Sequence, residues 1–282
     1  MAINQLGDSE GTMHSLRRPG GQLAYDGYGD LESTKPLVVC VPGMGDHRTT
    51  YRFLGPALAE AGYRVAAMDL RGHGDSDPTF DSYDDPAMGS DLIALVEELG
   101  GGPAVLVGNS MGAAAAAWAA AQRPELVSGL VLLGPFLRSA QSGPVTRLLM
   151  RLAFLRPWGP AVVGSYFAKL HAGRTPKDHA EHLATVRAVL RQRDHYRAIV
   201  RTLGTSHDPV EARLGEIEAP ALVLMGELDP DWPDPAAEAA WIAERLDARV
   251  VMVAESGHYP QSQRSDLVVP AILEFSRELG RD

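Results

Sequence analysis

Short apolar runs alternate along the chain with longer stretches whose apolar positions recur at helical spacing. Residues 37–41 read LVVCV, with no polar side chain, and fit a strand covered on both faces. The same pattern predicts strands at 65–68, 104–107, 130–133, 221–225 and 250–254. Between them lie helical patterns. Residues 49–61 put Phe53, Leu54, Ala57 and Leu58 on one face, and residues 85–99 do the same with Leu92, Leu95, Val96 and Leu99. The alanine-rich stretch 111–122 is helical by propensity. Residues 235–246 and 267–279 complete the set. Strand and helix in regular alternation imply parallel βαβ units joined by right-handed crossovers. Ligands in such sheets bind beyond the carboxyl ends of the strands. Chemistry is therefore expected in the residues just after each strand.

The alternation stops between Leu137 and about Glu218. Leu148, Leu149, Leu152, Phe154, Leu155 and Trp158 suggest helices only, as do Leu183, Val186, Val189, Leu190, Ile199 and Val200. Charge separates the same segment. Residues 137–219 hold 13 Lys/Arg against 7 Asp/Glu, a net of +6, while the rest of the chain carries −16. The expected organisation is an α/β core formed by residues 1–136 and 219–282, with a helical cap at 137–218 lying over the strand ends.

The 282 residues, 45% of them apolar and 22% charged, suit a globular protein with a full core. No apolar run reaches the ~20 residues that a membrane span requires. The opening residues MAINQLGDSEGTMHSLRRPG have no apolar stretch after a basic start, so a secretory signal is not expected. The single cysteine, Cys40, excludes an intrachain disulfide and fits a reducing cytoplasm. A net charge of −10 opposes binding to nucleic acid, which needs phosphate-neutralising cations.

Gly108-Asn109-Ser110-Met111-Gly112 follows the strand at 104–107 and opens the helix at Met111. It fits G-x-S-x-G with the strand–turn–helix context that this motif needs. The turn is sharp, so the residues two before and two after the serine must be small. The serine hydroxyl then stands at a helix N-terminus, where the dipole favours negative charge.

With Pro42-Gly43-Met44-Gly45-Asp46-His47-Arg48, Tyr63-Arg64-Val65 and Asp69-Leu70-Arg71-Gly72-His73-Gly74-Asp75-Ser76, the elbow resembles the α/β-hydrolase superfamily. It is most similar to the branch of monoacylglycerol lipases and serine aminopeptidase-like hydrolases. The resemblance runs from about Gly21 to the C-terminus. It implies a mostly parallel eight-stranded sheet with helices on both faces and a helical cap insertion. It also implies a serine hydrolase cleaving a carboxylic ester through Ser110, an acid and a histidine in that chain order. The histidine of the family lies in the turn after the last strand, where this chain has Gly257-His258. Asp229, in Gly226-Glu227-Leu228-Asp229, matches the acid of the family's G-x-x-D turn; Glu227 and Asp231 are near alternatives. Two backbone N–H groups, of Met111 and Met44, are implied as the oxyanion hole, with Pro42 standing where most relatives have histidine. The Asp69–Gly74 stretch is a structural turn in the family. No cofactor or metal is implied.

The other histidines give no metal motif. His179 and His182 are at i, i+3 without H-E-x-x-H, and solvated cap positions are expected for them. Arg187, Arg191, Arg197 and Arg201 recur near four-residue spacing in what reads as one amphipathic helix over 183–203. They fit a solvated face, a pocket mouth for a substrate carrying carboxylate or phosphate, or an anionic membrane surface. C–C bond hydrolases and cofactor-free haloperoxidase-like enzymes share the elbow or the fold. A small-molecule receptor with a slow or inactive triad is the reading from another class.

Overall fold

A computed structural model describes residues 11–100, 102–139 and 143–280. Eight strands form one sheet: β1 (Thr12–Arg18), β2 (Gly21–Tyr28), β3 (Leu37–Val41), β4 (Arg64–Met68), β5 (Ala104–Asn109), β6 (Val127–Leu133), β7 (Ala221–Gly226) and β8 (Arg249–Val253). Their spatial order is β1-β2-β4-β3-β5-β6-β7-β8. β1 pairs antiparallel with β2, and β2 with β4; every other pair is parallel. The six apolar runs are β3 to β8. β1 and β2 carry no such run: most of β1 is exposed, with Leu16 as its one buried residue.

The helices that flank the sheet are α1 (Leu54–Glu60), α2 (Asp85–Glu98) and α3 (Met111–Gln122), followed late in the chain by α9 (Pro235–Leu246) and α11 (Ser265–Leu279). Strand residues alternate between two cores. Val38, Cys40, Val105, Val107, Val131 and Leu133 face α1 and α11, which contribute Leu54, Leu58, Ile272 and Phe275. Val39, Val41, Leu106, Leu130 and Leu132 face the side of α2, α3 and α9. The alanines of α3 are small enough to let it lie close to the sheet, and nearly all are buried. Asp84 caps α2, its carboxylate accepting the Ala87 N–H at 2.9 Å.

Two helix expectations are corrected. The stretch 49–61 is not one helix: a 3₁₀ turn at Arg48–Tyr51 precedes α1. Pro56 has no N–H and crowds the carbonyl four residues back, which suits it to a first turn, and α1 starts two residues before it. The stretch 183–203 is likewise two helices, α6 (His179–Arg191) and α7 (Arg193–Thr202), separated by Gln192 with ψ 123°. The bend lets Val186 and Leu190 of α6 and Tyr196 and Ile199 of α7 enter one cluster with Phe167, Leu170 and Tyr259.

Between β6 and β7 the described residues also form α4 (Pro144–Ala153), α5 (Gly159–Leu170) and α8 (Asp208–Glu211). This helical segment is tied to the rest at several points. Arg52 donates to both oxygens of Asp178 at 2.5 and 2.6 Å. His207 Nδ1 lies 2.7 Å from Asp85 Oδ2. Gln263 donates to the carbonyls of Ala172 and Arg174. The short helix α10 (Pro260–Gln263) carries Gln263 and had no signature in the periodicity. Leu148, Leu149 and Leu152 of α4, with Leu155 and Trp158 after it, leave a broad apolar surface exposed.

Candidate active site

β5 ends in the elbow. Ser110 has φ 55° and ψ −120°, a backbone conformation that side chains rarely adopt. Its N–H donates to the Leu133 carbonyl at 3.0 Å, and its own carbonyl accepts from Ala113. The two flanking glycines are required by close approach. A Cβ on Gly108 would stand 2.5 Å from Ala113 N, and one on Gly112 would stand 2.5 Å from the Pro42 carbonyl oxygen. Strand, helix and the loop after β3 therefore close on one another with no room for a methyl group. On that loop Gly43 lies directly against Ser110. Met44 follows it, and Met111 begins α3.

Beyond β8, His258 is held on three sides. Its N–H donates to the Leu170 carbonyl at 2.9 Å, and its carbonyl accepts from the Asn109 side-chain amide at 3.0 Å. Its Nδ1 is 2.8 Å from Asp229 Oδ2 and 3.6 Å from Asp231 Oδ2. Both His258 and Asp229 are buried. Burial opposes charge on the ring, yet the charge and hydrogen bond of Asp229, with Asp231 and Asp46 adding to it, outweigh burial and push His258 up to about 9. Asp229 is thus the direct partner of His258, and Asp231 stands just behind it. Glu227 has no bond to the ring among the described residues.

Periodicity and motif missed several neighbours. Asn109 links the elbow to the backbone of His258, and also donates to the Leu133 carbonyl at 2.9 Å. Phe136 packs its ring 5.8 Å from that of His258, edge-on, and 4.6 Å from Trp232. Tyr259, the next residue in the chain, packs edge-on to the His258 ring at 5.2 Å. Phe136 and Trp232 follow β6 and β7, so their placement just after strands was the available signal.

The Asp69–Gly74 turn is occupied by structural pairs. Arg48 donates to Asp69 at 2.5 Å and binds Asp26 and Asp75 at 2.8 Å. Arg71 pairs with Asp91, and His73 Nδ1 meets the Arg71 carbonyl. The arginines of segment 137–218 are spread. Arg187 packs beside Gly164 of α5, Arg197 pairs with Asp194, and Arg201 donates to the Phe80 and Asp81 carbonyls. Arg197 and Arg201 line a surface cavity of about 220 Å³ with Pro78, Thr79 and Tyr83; Ser110, Asp229 and His258 are not in its lining.

The expectation of solvated cap histidines is corrected. His171 and His182 are buried, and His179, His195 and His207 are half-buried. His171 packs against the rings of Phe167 and Tyr259, His182 against Phe167 and His47, and His195 and His207 are bonded to Gly72 and Asp85. Burial pushes His171 and His47 down to about 4. Among the described residues two groups could hold a metal ion, Asp229/Asp231/His258 and Asp46/His47/His182. In the first, the Asp229–His258 bond already occupies Nδ1.

Known proteins bear on this arrangement. A family model described as the alpha/beta hydrolase fold matches residues 36–265. The chain is 41% identical over 106 residues to the sn-1-specific diacylglycerol lipase ABHD11 of Mus musculus, a match covering 37% of this chain and 34% of that lipase. It is 29% identical over 267 residues to the 2-hydroxy-6-oxo-6-phenylhexa-2,4-dienoate hydrolase of Comamonas testosteroni, covering 91% of each chain. The solved structure of a membrane phospholipase A described as a bacterial virulence factor superposes with a TM-score of 0.79 at 23% identity, over 96% of this chain and 87% of that one. No helix among the described residues is long and apolar enough to cross a membrane. With a family match over most of its length and the mostly parallel eight-stranded sheet that carries the elbow, the chain belongs to the α/β-hydrolase fold family.

Proposed function

We propose that the protein is a serine hydrolase of carboxylic esters, with Ser110 as nucleophile, His258 as general base and Asp229 as the acid that orients it. The observation that carries this reading is the buried 2.8 Å contact between His258 Nδ1 and Asp229 in the turn tethered to the Ser110 elbow. That contact keeps the ring proton on Nδ1, donated to the Asp229 carboxylate, and leaves Nε2 free to take a proton. As Ser110 Oγ attacks the ester carbonyl, His258 accepts its proton. The N–H groups of Met44 and Met111 hold the oxyanion. His258 then protonates the departing alcohol, and a water activated by the same ring releases the acid and frees Ser110. Phe136 and Trp232 supply an apolar wall beside the imidazole. The helical segment 137–218 is the cap, and its Leu170 carbonyl fixes the backbone of His258.

The test is covalent labelling by a fluorophosphonate, followed by turnover of p-nitrophenyl esters of rising chain length and of a neutral and an anionic pair. Stoichiometric labelling, lost in Ser110→Ala along with roughly 10⁶ in kcat, is the expected result. A folded wild-type protein that neither labels nor turns over any ester sinks the reading and favours a receptor.

A second reading, hydrolysis of a C–C bond in a ring-fission diketone, is favoured by the full-length match to the dienoate hydrolase. It uses the same serine and base. Turnover of a 2-hydroxy-6-oxo-dienoate with kcat/KM above that of every ester selects it.

A further inference from the structure

The loop after β3 and helix α6 meet in a buried polar cluster that the ester mechanism does not use. Asp46 and His47 come from the loop and His182 from α6; they are 1%, 5% and 7% exposed. The atoms with which the three could ligate an ion lie within 4.8 Å of one another. His182 Nε2 is 2.7 Å from Asp46 Oδ1, and the two imidazole rings stand 4.6 Å apart.

The protons can be followed from Thr49. Its Oγ1 is 2.8 Å from His47 Nδ1 and 3.3 Å from His182 Nδ1. A hydroxyl oxygen has two lone pairs, so it can accept from both Nδ1–H groups at once. Both rings then present a lone pair at Nε2, the form of a metal ligand whose other nitrogen is oriented by an outer hydrogen bond. In that arrangement the His182 lone pair faces a carboxylate oxygen at 2.7 Å, which requires a positive centre between them. A proton would serve that one pair. It would leave Asp46 Oδ2 and His47 Nε2, both buried and without a hydrogen-bond partner among the described residues. Buried polar atoms are rarely left so.

We propose that Asp46, His47 and His182 form a binding site for a divalent transition-metal ion of the Zn²⁺ type. Two imidazoles and a carboxylate are a donor set that suits such ions. Metal–ligand bonds of about 2.0–2.2 Å in a tetrahedral site separate ligand atoms by roughly 3.3 Å, so the His182–Asp46 contact opens by about half an ångström on binding. The three protein ligands leave a fourth position for water. The ion ties α6 to the turn that carries Met44.

The test uses the full-length protein stripped of metal by a chelator, and its readout needs no substrate. Titration with Co²⁺ is expected to give the visible d–d bands of a four- or five-coordinate N/O site, saturating at one equivalent. Zn²⁺ is expected to displace it and to raise the melting temperature. Asp46→Asn, His47→Gln and His182→Gln should each lose the saturable bands. His258→Gln, which removes the other Asp/His group, and His14→Gln, which removes an exposed histidine, should keep them. Because His182→Gln could fail to fold, melting curves of the metal-free variants accompany the titrations, and Asp46→Asn decides if it does fail. Absence of saturable Co²⁺ uptake by folded wild-type protein overturns the proposal and leaves a proton between His182 and Asp46. Uptake that survives Asp46→Asn, or that disappears with His258→Gln, overturns it too.

Discussion

At the scale of single residues, the proposed reaction turns on the ring of His258. The folded value of about 9 lies above the ~6.5 of an unfolded histidine. A raised value means the fold favours the charged ring. The resulting stability is complete below about pH 6.5 and is lost as pH rises through about 9. The proposed catalysis needs the neutral ring, so kcat/KM for a neutral ester should climb from pH 7, pass its half-maximum near 9 and level above it. Urea midpoints and initial rates across that range measure both effects. A rate plateau already reached at pH 7 would contradict the assignment of base. Asp229→Asn should lower kcat by about 10⁴ through the wrong tautomer and shift the remaining rise to lower pH, since the charge that lifts the ring is gone. A role in packing alone would not move the profile.

At the scale of elements, the elbow tolerates nothing larger than hydrogen at Gly112. Gly112→Ala pushes a methyl group onto the Pro42 carbonyl and should cost about 1–3 kcal/mol, the range of overpacked cores. Its fluorophosphonate labelling should fall further than its stability, because the displaced loop is the one bearing Met44. The elbow was legible in the sequence because its sterics dictate residue types at fixed spacing. So were β3 to β8: the unbroken apolar runs of β3 to β7 reflect burial on both faces, while β8, at the sheet edge, is mostly half-buried. β1 was not: it is an edge strand held by pairing with β2, and most of its side chains meet water. Helix ends were blurred where one local feature overrides periodicity, as at Pro56 and at the bend of Gln192. The Asp229–His258 partnership reached the page through family order. The roles of Asn109 and Phe136 did not, because a contact across 149 residues leaves no mark in spacing.

At the scale of the whole molecule, residues 137–219 carry a net +6 and the rest of the chain −16. The pairs that join them do not all follow that sign: in Arg52–Asp178 the carboxylate belongs to the helical segment. Arg52 and Asp178 are both partly exposed, so Arg52→Ala should cost only about 0.2–1 kcal/mol in a melting or urea experiment at moderate salt. The His207–Asp85 contact is more deeply set, with the Asp85 side chain fully buried. His207→Ala should therefore destabilise more than Arg52→Ala, since it strands a buried carboxylate. The reverse ranking would mean that the cap is held by its apolar underside and not by these pairs.

β6 and β7 lie side by side in the sheet, and among the described residues the chain leaves one and rejoins the other by way of α4 to α8. The excursion departs from and returns to neighbouring points on a rigid frame. In the proposed reading, selectivity is thereby uncoupled from bond-breaking in the gene itself. A single contiguous stretch can lengthen, shorten or be traded for that of a cousin while the frame still assembles. Among the ties that cross this seam, the His258 N–H donating to the Leu170 carbonyl reaches the proposed base itself, and a transplanted stretch must reproduce it for the hybrid to work.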